Sequence, residues 1–189
     1  MHRDYITTES AGRRQLLEEQ LFQAMLQKPY AEISVSELCE DAGVSRKSFY
    51  RYFGNKDGCL NALLDRVFLG SGNHSGTIDF SGGMNSPALL EVMDYWIGQK
   101  PLLDAIVANG LQSHLLERCL EYMIHEERNS LLWLGITDVD QDPEKALFSL
   151  TGFFSVLLHW CQTSFPRSTS EMAQIMSHLW TQPLMQQPE

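Results

Sequence analysis

Apolar residues recur at helical spacing along most of this chain, and prolines, glycines and capping residues punctuate the recurrences. Between Ser10 and Lys28 the positions Leu17, Leu21, Ala24 and Met25 give the i, i+4, i+7, i+8 pattern of a helix with one buried face. Pro29 ends it, because its ring would clash with the preceding turn. Ser34-Val35-Ser36-Glu37 has the form of a capping box, in which Ser34 accepts from a free backbone N–H and Glu37 reaches back to that of Ser34. A second helix follows to about Ala42, with Leu38, Cys39 and Ala42 turned inward. Gly43 can take positive φ at no steric cost, and Ser45 can cap a third helix that Gly54-Asn55 stops. Lys56 opens a fourth, whose apolar positions Leu60, Leu63, Leu64, Val67 and Phe68 run to Leu69.

The character changes over residues 70–86, where Gly70, Gly72, Gly76, Gly82 and Gly83 sit among serines, and a flexible stretch is expected, either a loop able to cover a pocket or a solvated linker. After Pro87 the helical pattern resumes. Leu89, Leu90, Met93, Trp96 and Ile97 form one helix ended by Lys100-Pro101, and Leu102, Leu103, Ile106 and Val107 a short one ended by Asn109-Gly110. A longer helix runs from Leu111 to about Leu134. Asp142 caps the next, begun by Pro143 and running to about Ser164, and a second capping box, Ser168-Thr169-Ser170-Glu171, starts the last. An all-α fold of about nine helices results, with a helix-turn-helix domain over residues 1–69 and a helical domain over 70–189.

The turn and third helix carry the chemistry. From Ala42 to Lys56 there are four basic residues, Arg46, Lys47, Arg51 and Lys56, and no acid, while Phe49 and Phe53 recur at i, i+4. One face can pack and the other can meet phosphate. The run Ser34-x-x-x-Leu38-Cys39-x-x-Ala42-Gly43-Val44-Ser45-x-x-x-Phe49-Tyr50-x-Tyr52-Phe53-x-x-Lys56-x-x-Cys59-Leu60 resembles, ungapped, the N-terminal domain of the TetR family of bacterial transcriptional repressors. It departs at Ser34, where the family has Thr, at Cys39 for Ala, and at Lys47, where a small residue is common. The resemblance covers about residues 10–69. It implies that Ser34, Tyr50, Tyr52 and Lys56 contact phosphates, which fix register without reading sequence. Arg46, Lys47, Ser48 and Arg51, near the exposed start of the third helix that Ser45 caps, are the candidates for reading base edges in the major groove.

Charge supports this division. The 189 residues carry a formal net charge of −10, yet residues 1–70 hold nine basic and ten acidic side chains, against five and fourteen in the rest. The excess of acid lies almost wholly outside the helix-turn-helix part, so the overall balance does not argue against DNA. The charged first twenty residues exclude a signal peptide, and no apolar run approaches a membrane span, so a cytoplasmic location is expected. Cys39, Cys59, Cys119 and Cys161 are far apart and read as buried, reduced thiols.

Catalytic and metal readings fail. Asp138-x-Asp140-x-Asp142 begins like a calcium loop, but Pro143 stands where glycine is required and Ser149 where the bidentate glutamate belongs. His125-Glu126-Glu127 lacks a second histidine, and His114, His159 and His178 are isolated in apolar helices, where core histidines are the commoner case. No nucleophile has a placed partner, so no enzyme, metal or cofactor is expected. Tyr95, Trp96, Tyr122, Met123, Trp133, Phe153, Phe154, His159 and Trp160 are candidates for a ligand pocket. With Glu91, Asp94 and Glu121 nearby in sequence, they suit a hydrophobic or cationic small-molecule effector. Ala146, Ser149, Gly152 and Ser155 form a small-residue row on the penultimate helix, as close approach of another helix requires. The resemblance likewise implies a homodimer through the last two helices. The expected function is a repressor that binds palindromic double-stranded operator DNA as a homodimer and is released by a small molecule. The rival is a helical adaptor that works through protein partners without touching DNA, against which Arg46, Lys47, Tyr50 and Lys56 speak.

Overall fold

A computed structural model describes residues 8–74, 87–125, 143–164 and 166–181. The described residues form nine α-helices and no strand: α1 Thr8–Met25, α2 Val35–Asp41, α3 Arg46–Phe53, α4 Lys56–His74, α5 Pro87–Gly98, α6 Lys100–Ala108, α7 Gln112–His125, α8 Pro143–Gln162 and α9 Thr169–Thr181. A single 3-10 turn, Tyr30–Glu32, joins α1 to α2. The chain divides into two units, Met1–Val67 and Phe68–Glu189.

In the first unit α1, α2 and α3 pack on one another around Leu17, Leu21, Leu38 and Phe49, each without solvent contact. α1 ends at Met25, earlier than Pro29 demands. The N–H groups of Gln27 and Lys28 both turn back to the Ala24 carbonyl and close the helix there. Lys28 then places its ammonium 2.6 Å from both carboxylate oxygens of Glu37 on α2. That ammonium, opposed by desolvation and seconded by the Ser34 backbone N–H, holds the Glu37 carboxyl below its usual range. Glu18 on α1 is 94% buried, a costly place for a lone carboxylate, and Arg66 on α4 meets it with Nε at 2.8 Å.

In the second unit α5 packs on α9, while α6 and α7 pack on α8. Phe68, Trp96, Tyr122 and Phe154 form its aromatic centre. The Trp96 and Phe154 rings meet edge-on at 5.1 Å, and Phe68 lies 5.6 Å from Tyr122 and 5.9 Å from Phe154. α4 continues to His74, so the expected loop does not begin at residue 70, and residues 75–86 lie outside the described ones. Gly70 explains part of that difference. A Cβ built there would stand 2.4 Å from the Tyr95 hydroxyl, so this glycine serves close approach within a helix rather than flexibility. Gly70→Ala is expected to displace the Tyr95 ring at a cost of about 1–3 kcal/mol, read as a lower melting temperature.

Lys100-Pro101 opens α6 rather than closing α5, because proline is tolerated in a first turn, where its missing N–H has no partner to lose. The second capping box closes from both sides: Glu171 accepts from the Ser168 N–H at 2.8 Å, and Ser168 Oγ from the Glu171 N–H at 3.3 Å. All four cysteines are free and buried, and desolvation raises the Cys59 and Cys161 thiols to about 12. The expected helix from 126 to 134, Trp133, and the Asp138, Asp140 and Asp142 triplet lie outside the described residues.

Candidate nucleic-acid interface

The site begins with the turn. Gly43 takes φ +61°, and the N–H of Val44 reaches back to Cys39 O at 2.9 Å, which closes α2 and redirects the chain. Ser45 is extended, and its Oγ accepts from the Ser48 N–H at 3.2 Å while its own hydroxyl donates to Ser48 Oγ at 3.0 Å. Both serines expected near DNA therefore build the start of α3. Phe49 is wholly buried and meets the Phe53 ring at 5.2 Å, which anchors the inner face. Arg46, Lys47, Tyr50 and Arg51 are exposed on the rest of the helix.

The aromatic pair divides. Tyr50 is 45% exposed, whereas Tyr52 is half-buried under the Arg51 guanidinium, which stands 5.1 Å from its ring and donates to its hydroxyl at 3.3 Å. A hydrogen bond from the Ser10 side chain, then that from Arg51, holds the Tyr52 phenol below its usual range. Ser10 belongs to α1, so α1 adds a polar group to this surface that no local pattern signals. Ser34 is exposed and accepts from the Glu37 N–H at 3.2 Å as the cap of α2. Lys56, by contrast, is half-buried and turned toward the α1–α2 corner, where its ammonium donates to Tyr30 O at 2.6 Å and Ile33 O at 2.8 Å.

These elements fall within residues 19–63, apart from Ser10, and that stretch matches the family described as bacterial regulatory proteins, tetR family. Residues 19–63 are a tetR-family domain. Its curated relatives include the HTH-type transcriptional regulator EthR of Mycobacterium tuberculosis, 52% identical over 40 residues. EthR of Mycolicibacterium smegmatis is 50% identical over 38. The first match takes in 21% of this chain and the second 20%, and each spans only 18% of the relative. In fold the likeness extends further. A tetR-family transcriptional regulator from Streptomyces coelicolor covers 90% of this chain and 79% of its own, with TM-score 0.52 at 19% identity. The TetR-family repressor AlkX from a Dietzia strain covers 88% and 91%, with TM-score 0.51 at 20% identity.

Beyond the tetR unit, the expected pocket residues are dispersed by role. Trp96, Tyr122 and Phe154 pack together, joined by Phe68, which the pattern had assigned to the DNA-binding part. Tyr95 is half-buried over Gly70. Phe153 lies edge-on to Phe154 at 5.1 Å and also lines an apolar groove with Phe148, Gly152, Val156, Met176 and Leu179. The Trp160 indole N–H donates to Arg167 O at 3.2 Å and so fixes the turn into α9. His159 and His178 are exposed rather than in the core, as are the carboxylate-bearing Glu91, Asp94 and Glu121. Among the described residues no three His, Cys, Asp or Glu side chains cluster as a metal site would require, and no helix is long and apolar enough to cross a membrane.

Proposed function

We propose that this protein is a transcriptional regulator that binds palindromic operator DNA as a homodimer, with α3 in the major groove. The observation that carries the reading is the two-faced α3, whose inner face is anchored by a fully buried Phe49 while Arg46, Lys47, Tyr50 and Arg51 stand exposed beyond a glycine turn. A helix held so rigidly by its inner face can present its outer side chains to base edges and phosphates in one register.

The homodimer part rests on α8 and α9. In the single chain Leu147 is 52% exposed, Phe148 66% and Leu179 36%, and they border the apolar groove. Such a face, continuous over two helices, suits a second copy of itself about a two-fold axis. Release by a small molecule rests on the aromatic cluster of the second unit. Because Glu91, Asp94 and Glu121 are exposed, the support is for a hydrophobic effector rather than a cationic one. A bound effector would favour a population that binds DNA poorly.

A titration of promoter DNA by fluorescence anisotropy tests the central claim. Arg46→Ala or Lys47→Ala is expected to relax preference at particular base pairs, with a loss of about 1–3 kcal/mol where that side chain makes a bidentate base contact. Tyr50→Phe is expected to weaken all sequences alike. Unchanged affinity and preference in all three variants would show that α3 does not read DNA.

A further inference from the structure

Lys56 and Asp57 open α4, and both are spent on one residue of the α1–α2 corner. The Lys56 ammonium, besides its bonds to the Tyr30 and Ile33 carbonyls at 2.6 and 2.8 Å, stands 4.3 Å from the centre of the Tyr30 ring. Asp57 accepts from the Tyr30 hydroxyl at 2.6 Å. Backbone, ring and hydroxyl of Tyr30 are thus all held by two consecutive residues far along the chain. Burial, then the bond to Asp57, keeps that phenol protonated well above its ordinary range.

The second carbonyl matters most for DNA. Ile33 immediately precedes Ser34, the cap of α2, and α2 packs in turn on α3. An ammonium has three donors, and two of those of Lys56 point at protein carbonyls, where charge assistance makes them strong. We propose that Lys56 is a positioning residue, which clamps the 30–33 corner to the head of α4 and so fixes where Ser34 and α2 meet a DNA phosphate. This deepens the DNA-binding reading above and rests on it.

Hydrogen exchange on the DNA-free full chain separates a clamp from a plain phosphate contact. The Ile33 N–H donates to Tyr30 O, so its protection reports the corner directly. Lys56→Met keeps an unbranched side chain of similar length and removes the charge and the donors. Exchange at Ile33 is expected to rise about tenfold or more, with amides of α8 unchanged. Lys56→Gln, whose neutral amide retains N–H donors without the charge, is expected to fall between wild type and Lys56→Met, and it carries the test if the methionine variant does not fold.

In operator titrations Ser34→Ala should cost affinity in the wild type and little in the Lys56→Met background, because the serine is then already misplaced. Unchanged exchange in both lysine variants overturns the clamp. Fully multiplicative losses from Ser34→Ala and Lys56→Met overturn it as well, since they describe two separate contacts. Faster exchange in a protein whose wild type binds no DNA overturns the DNA-binding reading, and with it the positioning role, while leaving the corner contact in place.

Discussion

Replacing Phe148 with glutamate is expected to leave a folded chain that sediments as a monomer and binds operator DNA about a hundredfold or more weakly. The side chain is 66% exposed in the single chain, so its loss costs the fold little core packing. In a two-fold pair over α8 and α9 the same position falls at the interface twice, and each copy would bury a carboxylate without a partner. Breaking in such a charge costs several kcal/mol per site, on the order of 3–5 where a buried charge is left uncompensated. A monomer also loses the second recognition helix, which must reach a major groove roughly 34–36 Å away. Gly152→Leu acts in the same direction and less strongly. A Cβ there meets nothing within 4 Å in the single chain, so only an approaching partner helix would feel the added bulk. Sedimentation at micromolar concentration checks both variants. A Phe148→Glu chain that remained dimeric with full operator affinity would place the interface elsewhere.

Phe49→Ala is expected to weaken binding to every DNA sequence by destabilising the first unit alone. Phe49 has no solvent exposure and anchors α3 against α1 and α2, so truncation removes apolar burial and leaves a cavity, together about 3–5 kcal/mol. A domain of this size has roughly 5–15 kcal/mol in total, so a large part of its stability goes. The tryptophans allow the two units to be watched apart. All four, Trp96, Trp133, Trp160 and Trp180, belong to the second unit, so tryptophan fluorescence reports that unit and circular dichroism reports both. The dichroism transition should move to lower temperature while the fluorescence transition stays. An unshifted dichroism transition, with DNA affinity retained, would mean that Phe49 does not hold α3.

Much of the first unit is written in local chemistry. The Gly43 turn and the Ser34 and Ser45 caps depend on residues within five positions of one another, and such bonds form wherever the segment folds. The same holds for the Ser168 and Glu171 box, whose two hydrogen bonds span three residues. Helix ends were less legible. Pro29 marks where α1 cannot continue, yet the helix stops at Met25, because a proline sets only a limit and the Gln27 and Lys28 N–H groups, turned back to the Ala24 carbonyl, close the helix before it. Gly70 reads locally as a breaker, and its reason is a tyrosine 25 positions away.

The all-α pattern, the helix-turn-helix and its basic outer face were thus determined by sequence alone, since spacing of apolar positions and caps within a few residues suffices to specify them. Which faces lack a partner was decided only by tertiary structure. Phe148 and Phe154 look alike in an apolar run, but α6 and α7 cover one side of α8 and leave Phe148 outside. Lys56 looks like a surface cation until the fold brings two carbonyls, more than twenty residues earlier, within 2.8 Å of its ammonium. Long-range approach of this kind leaves no periodic trace in the chain, because it depends on where several helices come to rest together.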